Sequence, residues 1–160
     1  MYHQEPLAIW GILYGRNDAM EKTNLVNTLQ ECIKSYNFKC SMPRIVEVPS
    51  ARPEDWKTAI GNIYRPDIAC LLCLIPGNKM SNPLYNALKR FTLNEKPVPT
   101  QCVLAATIKK GKNIRSILNR VLMQICAKVG GIPWAITDVS FKNKPTMVCG
   151  LDIGHKTGSG

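Results

Sequence analysis

Four polar residues, Tyr85, Lys89, Gln101 and Lys128, are of types that together could bind one phosphate. A terminal phosphate monoester carries about −1.5 to −2 charges near neutral pH and needs several donors at once. Lysines supply charge-assisted hydrogen bonds, and a glutamine amide adds a neutral donor. A tyrosine ring can stack on the neighbouring base, a contact worth about 1–3 kcal/mol. Tyr85 and Lys89 are four residues apart, so a helix places them on one face. Each residue also has an ordinary reading. Lys89 is a solvated helix lysine, Lys128 a favourable cation at a helix C-terminus, Gln101 a strand-end surface residue and Tyr85 half-buried packing. Spacing alone leaves both readings open.

The elements that must position these residues follow from the hydrophobic pattern. Residues 7–14 form a short apolar run bounded by Pro6 and Gly15, a buried strand. Leu25, Val26, Leu29, Cys32 and Ile33 recur at helical spacing, with Asp18 or Thr23 as a cap. Residues 44–48 read as a second strand. Pro53, Glu54 and Asp55 open a helix whose apolar side is Trp56, Ile60, Ile63 and Tyr64. Residues 68–75 are nearly all apolar, as in a strand covered on both faces. A loop at 76–82 leads into a helix over 82–91 that carries Tyr85 and Lys89. Residues 98–105 form a strand headed by Gln101, followed by a basic turn at 109–113. The long helix over 114–129 ends at Lys128 and is stopped by Gly130-Gly131. Residues 134–137 suggest a short extended segment, and 146–153 a last apolar strand containing Asp152. Strand and helix alternate four times, an α/β fold with a mainly parallel sheet and helices on both faces. Ligands of such sheets are expected beyond the C-terminal strand ends, where the 76–82 loop lies. No glycine-rich dinucleotide or P-loop motif follows any strand.

Composition narrows the function classes. The 160 residues carry 21 Lys and Arg against 11 Asp and Glu, a net charge of +10, which favours a polyanionic partner. No apolar run approaches the length of a membrane span, and the N-terminus lacks the pattern of a signal peptide. Seven scattered cysteines suggest reduced core thiols in an intracellular protein. Cys70 and Cys73 match C-x-x-C, but on a strand they face opposite sides and cannot share a zinc ion.

Three elements in order, Tyr85-x-x-x-Lys89, Pro97-Val98-Pro99-Thr100-Gln101-Cys102-Val103 and Lys128-Val129-Gly130-Gly131, resemble the MID domain of Argonaute proteins. The Pro-Val-Pro-Thr-Gln run, with Gln124 at a place where the Argonaute branch commonly has lysine, is similar to the PIWI branch. The resemblance implies a Rossmann-like domain holding the 5′-monophosphate end of a single-stranded guide RNA, piRNA-like, for RNA-guided silencing. Tyr85 would stack on the first base, and Lys89, Gln101 and Lys128 would bind the terminal phosphate. Gln124 would leave room for a Mg2+ ion bridged by guide phosphates. The loop Gly77, Asn78, Lys79 and Met80 would face the first base and set its preference.

The run from Met147 to His155 resembles the first strand of the PIWI domain, an RNase H-like fold, with Asp152 matching its first catalytic aspartate. The resemblance thus divides the chain into a MID domain over 1–138 and a linker and first PIWI strand over 139–160. A two-metal nuclease site needs further carboxylates, so Asp152 is read as a strand residue and the chain as a binding module rather than an enzyme. It is expected to be a monomer, in the cytoplasm or nucleus, with no membrane association. Two other readings stand beside this one. One is a metal-dependent nuclease using Asp152. The other is a protein-interaction module that meets an acidic partner through the basic turn at 109–112 or the region of Trp10 and Trp56.

Overall fold

The computed structural model describes residues 1–77, 83–136 and 145–151. Two central strands, β1 (Trp10–Gly15) and β3 (Cys70–Ile75), are buried at all six positions each. A run such as Cys-Leu-Leu-Cys-Leu-Ile has no polar face to turn to water, so it is stable only where helices cover both sides. The shorter, more polar β2 (Arg44–Val48) and β4 (Thr100–Leu104) take the edges. All pairings are parallel, in the order β2-β1-β3-β4. Register sets Leu71 beside Thr100, Leu72 beside Gln101 and Cys73 beside Cys102.

Helices fill both faces, as the alternation of patterns predicts. On one face α1 (Ala19–Ser35), α4 (Ala105–Lys109) and α5 (Ile114–Lys128) pack over Ile12, Leu72, Leu74 and Val103. On the other, α2 (Pro53–Ile63) and α3 (Pro83–Asn94) cover Leu13, Leu71, Cys73 and Ile75. Side-chain alternation along β3 therefore sends Cys70 into one core and Cys73 into the other, as expected for this C-x-x-C. Pro53 stands in the first turn of α2, with Glu54 and Asp55 beside it. Among the described residues no helix is long and apolar enough to cross a membrane.

Several boundaries differ from the sequence expectation. The strand expected from residue 98 begins at Thr100, because Pro97 and Pro99 have no N–H for the ladder. Its apolar continuation, Ala105 to Ile108, turns into the short helix α4, since a brief apolar run reads equally well as either element. Asp18 stands at the α1 N-terminus but makes no side-chain cap, and the Thr23 hydroxyl instead donates to the Ala19 carbonyl. Residues 134–136 form no strand, although neighbouring Ile132 makes an isolated antiparallel bridge to His3. Residues 145–151 form no strand either, and Met147, Val148 and Leu151 are exposed. An apolar pattern makes a strand only where a ladder partner pairs its N–H and C=O groups. Trp10 and Trp56 are buried, their indole N–H groups donating to the Ser41 and Ser50 carbonyls at 2.7 and 3.0 Å. Both side chains are core residues rather than surface contacts. Thr137, the boundary near residue 138 and Asp152 lie outside the described residues.

Candidate functional site

Edge strand β4 has one unpaired flank, and the two helices on either side of the sheet reach around it. From α3, Lys89 Nζ donates to the Thr100 carbonyl at 3.0 Å and to the Thr100 hydroxyl at 2.7 Å. From α5, on the opposite face, Lys128 Nζ donates to the same carbonyl at 2.8 Å and to Gln101 Oε1 at 2.6 Å. Strand alternation explains the division of labour: Thr100 points towards α3 and Gln101, like Val103, towards α5. Gln101 is buried despite its amide, and its Nε2 donates to the Cys102 carbonyl at 3.3 Å.

Lys89, Gln101 and Lys128 are thus brought together at the start of β4. Tyr85 joins them from one turn earlier on α3: its half-buried ring centroid lies 5.7 Å from Lys89 Nζ. Gln124 stands one turn before Lys128 and lines, with Gln101, a groove of about 270 Å³ between β4–α4 and α5. The cluster sits at the N-terminal end of β4, not beyond the C-terminal strand ends where the general rule for parallel sheets places ligands. The reason is the position of β4: only an edge strand lets side chains from both faces meet on its backbone. At the C-terminal end of β3, Gly77 has a φ of +96° and is exposed. Asn78, Lys79 and Met80 lie outside the described residues.

The end of α5 shows why Lys128 is followed by two glycines. Gly130 has a φ of +96°, and its N–H donates to the Ala127 carbonyl at 3.3 Å. The Gly131 N–H donates to the Cys126 carbonyl at 2.8 Å, completing a Schellman cap. A Cβ on Gly131 would lie 2.6 Å from Cys126 Sγ and 3.1 Å from the His3 carbonyl. The glycine pair therefore stops the helix directly after Lys128 and admits the N-terminal segment against the cap.

Electrostatically the site is one-sided. Among the described residues neither Lys89 nor Lys128 is in an ion pair with a carboxylate. Much of the Lys128 side chain is open to solvent, but its ammonium turns in against the strand edge. Burial, and then repulsion from Lys89, hold its pKa below the usual lysine value. Beneath the lysines, burial pushes the Cys70 thiol up to about 11, with both lysines pulling the other way. Each ammonium spends two of its three N–H donors on the bonds described, and Gln101 spends one of two. Among the described residues, one donor from each of the three groups is left over from these bonds. Thr100, the hub of the network, was missed by sequence reasoning because its main role is played by a backbone carbonyl that no residue type announces. Arg120, one helical turn before Gln124, lines the same groove.

A family model described as "Piwi domain" matches residues 70–160, which include β3 and every candidate binding residue. Piwi-like protein 1 of Gallus gallus is 26% identical over 160 residues, covering 100% of this chain and 18% of that protein. Piwi-like protein 3 of Homo sapiens is 28% identical over 160 residues, covering 94% of this chain and 17% of that protein. The chain thus spans less than a fifth of the length of these curated relatives. Among solved structures, Drosophila Piwi matches with a TM-score of 0.73 at 23% identity, over 81% of this chain and 18% of that one. The Arabidopsis thaliana AGO5 MID domain matches with a TM-score of 0.67 at 19% identity, over 82% of this chain and 95% of that one. Aa-Ago, solved with externally bound siRNA, matches with a TM-score of 0.65 at 20% identity, over 85% of this chain and 21% of that one. With more than half of its length matched by the family model, the chain belongs to the Piwi family, as a segment with the fold of an Argonaute MID domain.

Proposed function

We propose that this chain is a small-RNA-binding Argonaute module that anchors the 5′-monophosphate and first nucleotide of a single-stranded guide RNA. The observation that carries the reading is the meeting of Lys89 and Lys128 on one carbonyl at an open strand edge, with no carboxylate neutralising them among the described residues. Two such charges match a phosphate monoester of about −1.5 to −2. The donors left on Lys89, Gln101 and Lys128 suit its three terminal oxygens. Tyr85, whose ring centroid lies 5.7 Å from the Lys89 ammonium, stacks on the first base in this reading. In this reading Gly77 begins the loop that faces that base, with Asn78, Lys79 and Met80 setting its preference.

A Mg2+ ion fits the site only in one manner. None of the residues lining the Gln101–Gln124 groove is a carboxylate. Hard cations take oxygen ligands and often keep several waters. Phosphate oxygens would therefore supply the anionic ligands, with the Gln124 amide oxygen or water completing them. When bound, the ion would neutralise charge between neighbouring phosphates. Lys89, Gln101 and Lys128 hold the terminal phosphate by their own donors. Asp152 is assigned no catalytic step, since a two-metal site needs several carboxylates.

The test is binding of the 160-residue chain to matched RNAs with a 5′-phosphate or a 5′-hydroxyl. The phosphorylated end should bind about tenfold or more tightly, with the advantage shrinking as salt rises. Lys89→Ala and Lys128→Ala should each reduce it. Tyr85→Ala should weaken nucleotide binding more than binding of inorganic phosphate. Equal affinity for the two ends would overturn the assignment.

A further inference from the structure

We propose that Cys73 and Cys102 form a peroxide-sensitive dithiol, in which Cys102 is oxidised first and Cys73 then closes a disulfide between β3 and β4. The two residues are register partners on adjacent parallel strands. Neighbouring strands run about 4.8 Å apart, and a disulfide joins Cα atoms about 4.4–6.8 Å apart. Register partners also project to the same side of the sheet. Here that side is the core under α2 and α3, where Cys73 is buried and Cys102 packs against it. Cys32, Cys40, Cys70 and Cys126 belong to the opposite face, and Cys149 is exposed outside the sheet. Among the described residues, Cys73 is therefore the thiol that Cys102 meets on its own face.

The two roles differ because the surroundings differ. Cys102 is on an edge strand and partly exposed, whereas Cys73 on central β3 is fully buried. A small oxidant thus reaches Cys102 first. The Cys73 thiol donates a hydrogen bond to Cys102. That bond, helped by the charges of Lys89 and Lys128 and opposed by burial, holds the Cys102 thiol below its usual pKa. The thiolate is the reactive form of a cysteine. The same hydrogen bond, and then burial, keep Cys73 protonated. Cys40 is also partly exposed, but burial alone acts on its thiol and pushes it up.

In the first step the Cys102 thiolate attacks one oxygen of hydrogen peroxide. The O–O bond breaks, a sulfenic acid forms, and the departing hydroxide takes up the thiol's proton as water. The Cys73 sulfur then attacks Cys102 Sγ. The S–O bond breaks, and hydroxide leaves with the Cys73 proton as a second water. The two thiols lose two electrons and two protons, and the peroxide gains them. The bridge ties the edge strand to the centre of the sheet, one residue past Gln101.

The experiment treats the 160-residue chain with increasing hydrogen peroxide and blocks the remaining thiols with N-ethylmaleimide. Peptides are then mapped by mass spectrometry without reduction. Trypsin cuts at Lys89 and Arg90, between the two cysteines, so a bridge appears as a linked peptide pair. Fragmentation of that pair should assign Cys73 rather than Cys70, and dithiothreitol should restore both thiols. Cys102 should be oxidised severalfold faster than Cys40. In Cys73→Ala, Cys102 should stop at the sulfenic acid and be trapped by dimedone. In Cys102→Ala, Cys73 should stay unoxidised. Circular dichroism checks the fold of each variant, and the wild-type map decides the matter where a variant fails to fold. A Cys102 no more reactive than Cys40, or one that oxidises without linking to Cys73, overturns the dithiol assignment. No RNA enters the assay, so its failure is distinct from failure of the anchoring reading.

Discussion

Lys89 and Lys128 donate to the same oxygen, the Thr100 carbonyl, at 3.0 and 2.8 Å, from helices on opposite faces of the sheet. Like charges approach this closely only against a cost, which adds to that of burial in holding the Lys128 pKa down. In the proposed reading, the charge pairing that would attract an anion is also the source of a local instability.

The sign of the resulting pH dependence follows. Lys128 in the folded chain releases its proton below the ordinary 10.5, so between the depressed value and 10.5 the unfolded chain holds more protons. Stability from this group rises with pH across that window. The difference in Tm between wild type and Lys128→Gln, followed from about pH 8 upward, should move in favour of wild type. A difference that falls or stays flat would contradict the assignment of burial and Lys89 as the causes. Affinity for a 5′-phosphate end should decline over the same window as the ammonium is lost.

Thr100 offers a subtler probe than either lysine. Thr100→Val removes the hydroxyl that Lys89 bonds at 2.7 Å while keeping the carbonyl and the β-branched shape. The expected cost is about 1 kcal/mol of stability. The preference for a 5′-phosphate over a 5′-hydroxyl should fall severalfold, because Lys89 loses one of its two anchors. Denaturant titration and paired binding curves measure the two effects separately.

The glycine pair after Lys128 should not tolerate side chains. Gly131→Ala would press a methyl against Cys126 Sγ at 2.6 Å and the Cys126 carbonyl at 3.0 Å, both inside van der Waals contact. A loss of about 1–3 kcal/mol is expected from overpacking. Gly130→Ala forces a side chain into a φ of +96° and should cost about 1–2 kcal/mol. Because the cap sets where Lys128 ends the helix, both variants should also weaken phosphate-end binding. A variant with lowered Tm and unaltered binding would separate the cap from the site.

Thiol chemistry reports on the core. Cys149 is exposed and Cys40 and Cys102 are partly so, whereas Cys32, Cys70, Cys73 and Cys126 are buried. Alkylation near neutral pH, read by mass spectrometry, should label Cys149 first and the buried four only on unfolding. Cys70 is held up to about 11 from the ordinary 9.0, chiefly by burial. Its contribution to stability is full below 9.0 and is lost as pH rises through about 11. Rapid labelling of Cys70 in the folded chain would contradict the packing of β3.

Local relationships were legible without coordinates. Residues four apart on a helix share a face, so Tyr85 with Lys89, and Gln124 with Lys128, are pairs in any structure that keeps those helices. The unbroken apolar run at 70–75 requires helices on both sides, and the double glycine requires the helix to stop at Lys128. The short helix at Ala105–Lys109 was not legible, because its apolar run prolongs the pattern of the strand before it. The terminal run around Met147 was misread as a strand for a complementary reason. Its composition suits a sheet, but pairing depends on a neighbour that composition does not supply.

What the amino-acid sequence by itself determined was the inventory: an α/β alternation, a cationic surplus, and the order of Tyr85, Lys89, Gln101, Gln124 and Lys128 that marks the family. What only the tertiary structure decided was where these residues meet. The strand order β2-β1-β3-β4 leaves β4 at an edge, and from that edge two lysines on opposite faces can share one backbone carbonyl. No spacing encodes that meeting, because the atom at its centre belongs to the peptide chain and is common to every residue.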